Sequence, residues 1–277
     1  MKVNDNLYII SKNRPNSKTV KLLKELNINN YYLVVQDDDE YLADYIVNYG
    51  EDKILTYNRK KYESKKFNLD NLDSDLTGAY PARNACLDLA RANNEKRFWL
   101  CDDDIYNFSI HDKFNNLKAI KDENKIKKIL NIYSNIGKQC NIDKIGIGIH
   151  ENFITYRFGY YMNVNAFFNI DANTNYFKGR LGEDIVTTFL LYHNPGNKYE
   201  LKINMLKFRT DKPGSNKGGL HSEYERFGII SRIKYTILIN PLDKIKLKGE
   251  KIITDAYESL EHIAPKIISD EWEHGKN

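Results

Sequence analysis

Short apolar runs alternate with amphipathic segments through the first half of this chain, and that alternation constrains the fold more than any other feature. Leu7–Ile10, Tyr31–Val35 and Ile54–Tyr57 read as strands. Between them, Val20, Leu22, Leu23 and Leu26 recur at helical spacing within Ser17–Leu26, and Leu42, Tyr45, Ile46 and Tyr49 share one face of a helix predicted over Asp39–Tyr49. After a polar stretch from Asn58 to Ser74, Pro81 stands where a first helical turn accepts proline, and Ala82, Ala85, Cys86, Leu89 and Ala90 continue that helix on one face. A β-α-β-α order of this kind predicts an α/β fold with a mostly parallel central sheet flanked by helices.

The next strand, Phe98-Trp99-Leu100-Cys101, ends abruptly in Asp102-Asp103-Asp104. Strands of parallel sheets are buried on both faces and read as continuous apolar runs, and ligands collect beyond their carboxyl ends. Three acids at such an end repel one another and raise each other's pKa, so a divalent cation carrying a phosphate is a natural occupant. A second triplet, Asp37-Asp38-Asp39, also follows a strand, but Asp39 is predicted to open a helix, and capping accounts for part of that cluster. No helix follows Asp104.

Further along, Ile126, Ile129, Leu130, Tyr133 and Ile136 mark a helix. Ile145-Gly146-Ile147-Gly148-Ile149 alternates as a strand whose glycines leave one face bare. Tyr156–Ile170 is aromatic and strand-like, Gly179–Gly182 is a turn, Glu183–His193 a helix, Tyr199–Phe208 a strand, and residues 211–219 a loop. The remainder reads as a helical extension with one break around Asn240–Gly249. The predicted organisation is one domain over 1–225 and a C-terminal helical extension, 226–277, packed on it.

With 277 residues, 41% of them hydrophobic, the chain can bury a large core, and no apolar segment approaches the roughly 20 residues that span a bilayer. Met1–Asn6 does not begin a signal peptide. A cytoplasmic protein without membrane attachment is expected. Cys86, Cys101 and Cys140 are widely spaced and read as small core residues, not as a disulfide or zinc framework. The net charge of +4 tolerates a polyanionic partner without demanding one, and the twenty tyrosines read as coding bias.

An Asp-x-Asp at a sheet end resembles the metal-binding motif of GT-A glycosyltransferases, which use nucleotide-sugar donors. Three more elements occur in that family's order: Ile9-Ile10-Ser11-Lys12-Asn13-Arg14-Pro15, Gly78-Ala79-Tyr80-Pro81-Ala82-Arg83-Asn84, and Gly182-Glu183-Asp184. With Gly218-Gly219-Leu220-His221, the set most resembles the TET-associated and phage DNA-modifying glycosyltransferase group. The acidic stretch Gln36–Glu40, with Asp37 as the candidate donor contact, departs from that group's pattern.

The resemblance implies an inverting, metal-dependent transfer from a nucleotide sugar, a UDP-sugar in the first instance, to a 5-hydroxymethylpyrimidine in DNA. Mn²⁺ or Mg²⁺ would be held by Asp104, Asp102 and His221 and would neutralise the departing diphosphate. Asp103, pointing the opposite way along an extended backbone, is expected to be structural. Ser11 and Arg14 would line the nucleotide pocket, with Arg83 and Asn84 at the phosphates and sugar hydroxyls. Lys217, Gly218 and Gly219 would fold over the diphosphate. Asp184, or Glu183 in its place, would take the acceptor's proton. Aromatic residues within Phe153–Phe168, interleaved with Arg157 and Asn163, read for the most part as core packing, and those that are not could stack on an acceptor base or pack on a sugar.

Three other readings stay open: a GT-A transferase acting on a glycan or protein, a metal-dependent nucleotidyltransferase or nuclease, and a nucleic-acid-binding module. Sugar, nucleotide and oligomeric state are not legible in the sequence.

Overall fold

The computed structural model describes residues 1–68, 78–111, 116–149, 158–160, 166–192, 199–211, 221, 245–248 and 251–254. The chain divides into two compact units, Met1–Ser222 and Glu223–Asn277. In the first, the order is β1(Leu7–Ile10), α1(Lys18–Glu25), β2(Tyr31–Gln36), α2(Leu42–Tyr49), β3(Ile54–Tyr57), α3(Lys65–Asn68), α4(Tyr80–Ala92), β4(Arg97–Asp102), β5(Asn107–His111), β6(Leu117–Ala119), α5(Glu123–Gln139), β7(Ile142–Ile149), β8(Phe158–Tyr160), β9(Phe167–Asp171), α6(Glu183–Tyr192) and β10(Tyr199–Arg209).

All ten strands form one sheet, ordered β3-β2-β1-β4-β9-β7-β10-β5-β6, with β8 beside β10. The expected α/β class holds, and β3, β2, β1 and β4 are parallel. Beyond β4 the sheet is mixed: β9 runs antiparallel to both β4 and β7, and β5 antiparallel to β10. The β5–β6 hairpin has no counterpart in the sequence reading, which assigns no strand there.

Two core clusters lie on the two faces of the sheet. Val20 and Leu23 of α1, Tyr45 of α2 and Ile126 and Leu130 of α5 pack with Trp99 and Cys101, while Ala82, Cys86 and Ala90 of α4 pack with Phe98 and Leu100. Chain order moves outward from β1 to β3 under α1 and α2, then returns to β4 under α4 on the opposite face. The sheet therefore has a switch point between β1 and β4, where α/β sheets bind ligands. Ile10 and Asp102 are register partners there.

Local chemistry sets the element ends. Ser17 caps α1 by accepting from Val20 N at 3.2 Å, and Asn27, at φ 50, ends the helix in the left-handed region. Helix α2 starts at Leu42, not Asp39, and Tyr41 caps it without a side-chain hydrogen bond. Asp39 instead closes a turn, its carboxylate accepting from Tyr41 N and Asn13 N, each at 2.9 Å. Cys86 and Cys101 are buried as expected, whereas Cys140, at the end of α5, is exposed.

The second unit contains an antiparallel hairpin of β11(Ile245–Lys248) and β12(Lys251–Thr254). This corrects the helical expectation at Lys251–Thr254. The Ile-Lys-Leu-Lys alternation has a period of two, and Gly249-Glu250 between the strands is a two-residue hairpin sequence with glycine first.

Candidate active site

Strand β4 is apolar from Phe98 to Cys101 because both its faces are covered, and its alternation dictates where each acid of the triplet goes. Asp102 continues the face packed against α4, and Asp103 the face packed against α1.

On the α1 side, Asp103 is 5% exposed. It accepts from Ser11 Oγ at 2.5 Å and from Arg14 Nη1 at 2.9 Å. Burial pushes its carboxyl up to about 6 despite Arg14 and Ser11. The backbone is held as well: Thr19 N and Ser17 Oγ donate to Asp103 O at 3.2 and 3.1 Å, and Thr19 Oγ1 donates to Asp102 O at 2.6 Å. Ser11, expected against the nucleotide, is buried, with its hydroxyl engaged by Asp103 and by Tyr45 Oη at 2.7 Å. It supports the loop and does not face the cleft. Arg14 does line a cleft of about 310 Å³, together with Asn13, Asn16, Lys18, Asp104 and Asp211.

On the α4 side, Arg83 is buried. It joins Asp102 Oδ1 through Nη2 at 3.2 Å and Glu183 Oε1 through Nε at 3.0 Å. Burial works against the guanidinium charge, but Asp102, Glu183 and Asp184 together hold its pKa above the ordinary value. Nη1 is also buried, and among the described residues it has no hydrogen-bond partner. Burial pushes Asp102 up to about 7, with Arg83 opposing and Asp104, Glu183 and Asp103 adding to the rise. Asn84, expected at the donor's phosphates and sugar hydroxyls, is held by Phe177 here. It is fully buried, and its amide clasps Phe177, donating to the carbonyl at 3.0 Å and accepting from N at 2.7 Å.

Asp104 accepts from Thr210 Oγ1 at 2.5 Å, and burial again raises its pKa, with Asp211 adding. Lys18 bonds both oxygens of Asp211, at 2.8 and 2.7 Å, across the cleft mouth. Asp102 and Asp104 are hard oxygen ligands whose mutual repulsion a cation relieves, so they fit a divalent metal. The full expected set is not assembled, however: among the described residues, no three His, Cys, Asp or Glu side chains converge on one metal position, His221 included. Asp102 is turned toward Arg83 and Asp104 toward Thr210. Lys217, Gly218 and Gly219 lie outside the described residues, as do Phe153, Arg157 and Asn163. Asp37 is exposed and accepts from Asn58 Nδ2 at 3.1 Å, at the β2–β3 end of the same sheet edge.

Glu183 and Asp184, at the start of α6, are both buried. Gly182, at φ 66, makes the turn that delivers them. Glu183 is committed to Arg83, whereas Asp184 lies near enough to act on the charges of both Arg83 and Lys202.

Two residues that hold the site were missed in the sequence. Tyr45 and Tyr49 of α2 accept from Arg14 N and Ser17 N, each at 2.8 Å, and so fix the β1–α1 loop. Their i, i+4 spacing was visible but marked only a buried face.

A family model described as TET-Associated Glycosyltransferase matches residues 6–199, more than half of the chain. The solved structure of mannose-1-phosphate geranyltransferase from Thermus thermophilus aligns at a TM-score of 0.31 and 8% identity, covering 85% of this chain and 64% of that one. This chain thus spans less than two thirds of that protein's length. No curated protein matches the sequence.

Proposed function

Because the chain belongs to the TET-associated glycosyltransferase family, we propose that it transfers a sugar from a nucleotide-sugar donor, in the first instance a UDP-sugar, to the hydroxyl of a 5-hydroxymethylpyrimidine in DNA, with inversion. The family match carries this reading, since it spans Arg83, Asp102–Asp104 and Glu183-Asp184, which meet at the β1–β4 switch point.

The donor's diphosphate would lie over the ends of β1 and β4. Arg14 at the cleft would take a phosphate oxygen, and the orphaned Nη1 of Arg83 another. Asp104, with Asp102, would hold Mn²⁺ or Mg²⁺, which when bound neutralises charge on the diphosphate; His221 is the candidate third ligand. Asp102 also suits a sugar hydroxyl. Lys217, Gly218 and Gly219 are the candidate cover over the phosphates.

Asp184 would accept the proton of the acceptor hydroxyl as that oxygen forms its bond to the anomeric carbon and the bond to the diphosphate oxygen breaks. Glu183 is less suited to this step because Arg83 already binds its carboxylate.

Intact-mass measurement tests the proposal. Incubation with a panel of UDP-sugars, Mn²⁺ and duplexes containing 5-hydroxymethylcytosine or 5-hydroxymethyluracil is expected to add one sugar residue to the modified strand and nothing to unmodified DNA. Transfer to glycans or proteins with none to these duplexes would overturn the acceptor assignment.

A further inference from the structure

We infer that Lys144, Glu200 and Thr188 form an internal clamp that positions Asp184, a role resting on the functional reading above. Lys144 Nζ lies 2.7 Å from Glu200 Oε2, and both side chains are 0% exposed. The two residues are register partners on β7 and β10. A fully buried ion pair gives up the hydration of both charges, so it is a poor source of stability and is better understood through what it fixes in place.

Thr188 shows what that is. Its hydroxyl lies 2.8 Å from Glu200 Oε2 and 2.9 Å from the carbonyl oxygen of Asp184, one helical turn earlier. Both partners are acceptors, so the hydroxyl shares its one proton between them in a three-centre bond and in that way joins the ion pair on the sheet to the residue that carries the proposed base. Arg83 fixes the same turn from its other side, through Glu183. Two aromatic rings space the two anchors: the Arg83 guanidinium lies 5.6 and 5.9 Å from the centroids of Phe168 and Phe177, and Lys144 Nζ lies 5.9 and 5.7 Å from them. The first turn of α6 is therefore held at Glu183 by Arg83 and at the Asp184 carbonyl by Thr188 of the following turn.

Lys144, Glu200 and Thr188 are positioning residues, and the test separates this role from simple structural support. Thr188→Val, Thr188→Ser and wild type are compared over the panel of UDP-sugars and 5-hydroxymethylpyrimidine duplexes with Mn²⁺, with kinetics on the pair that wild type uses, and by hydrogen exchange over residues 183–188. Thr188→Val is expected to leave the donor KM unchanged, to lower kcat about 10- to 100-fold, as small displacements of a reacting group do, and to lose exchange protection in that turn. Thr188→Ser, which keeps the hydroxyl, is expected to restore both. The double variant K144M/E200L replaces the pair by apolar residues of similar size, a change often neutral for stability, and is expected to fold and to repeat the kcat loss. Unchanged kcat and protection in Thr188→Val, or equal impairment in Thr188→Ser, would overturn the clamp. Absence of transfer by wild type would refute the functional reading, while the exchange pattern would still decide the clamp.

Discussion

Replacing Arg83 with methionine is expected to destabilise the protein by about 3–5 kcal/mol, the cost of removing one partner from a buried ionic cluster. Arg83 is the cationic partner shared by two carboxylates, Asp102 and Glu183, and methionine fills its volume without offering either a hydrogen bond. For a unit of this size that loss lowers Tm by roughly 10 °C. The deficit should depend on pH. Asp102 is already held up to about 7 by burial, with Arg83 opposing the rise, so removing Arg83 raises it further. A carboxyl whose folded pKa exceeds its unfolded value favours the folded state below the unfolded pKa and loses that contribution as pH rises through the folded one. Melting curves of the variant should therefore lie closer to wild type at pH 5 than at pH 8. A constant deficit across that range would mean that Asp102 does not respond to Arg83.

Gly78→Ala is expected to disrupt the same site without touching any charged group. Gly78 adopts φ +62, and a Cβ there would overlap the carbonyl oxygen of Arg180. Left-handed backbone at a non-glycine residue costs about 1–3 kcal/mol, and relief of the overlap requires two backbone segments to separate. One of them leads into α4 and Arg83, the other through Gly182 into α6 and Glu183. A lower Tm together with weakened donor binding is the expected result, measured by thermal denaturation and donor titration. Gly78→Ala with wild-type Tm would show that these segments are not in contact as described.

The parts of this architecture that were legible in the sequence follow from burial on two faces and from helical spacing. Strands β1 to β4 and helices α1, α4 and α5 were readable because their apolar patterns are long and their neighbours are local. The ligand-binding end of the sheet was readable too, since the acid triplet closes an apolar strand. Long-range pairing was not. Nothing local in Asn107–His111 reveals that it will pair with β10, and nothing local in Phe167–Asp171 marks it for antiparallel insertion between β4 and β7. Within the site, residue types were visible but their commitments were not. Asn84 at a helix start has the chemistry of a donor contact, yet Phe177, far along the chain, occupies both ends of its amide. Ser11 was likewise absorbed by Asp103 and Tyr45. The acid triplet itself was separable into roles because strand alternation sends Asp102 and Asp103 to opposite faces.

Central to this account is a metal-assisted nucleotide-sugar site at the carboxyl ends of β1 and β4, and a thermal-shift titration tests it most directly. UDP-sugars with Mn²⁺ should raise Tm more than donor or metal alone. At a hundredfold excess over Kd, ligand binding adds about 2.7 kcal/mol, or roughly 5–10 °C for a unit of this size, and Asp104→Asn should abolish the metal-dependent part. No stabilisation by any nucleotide sugar with or without Mn²⁺, or an undiminished shift in Asp104→Asn, would contradict it.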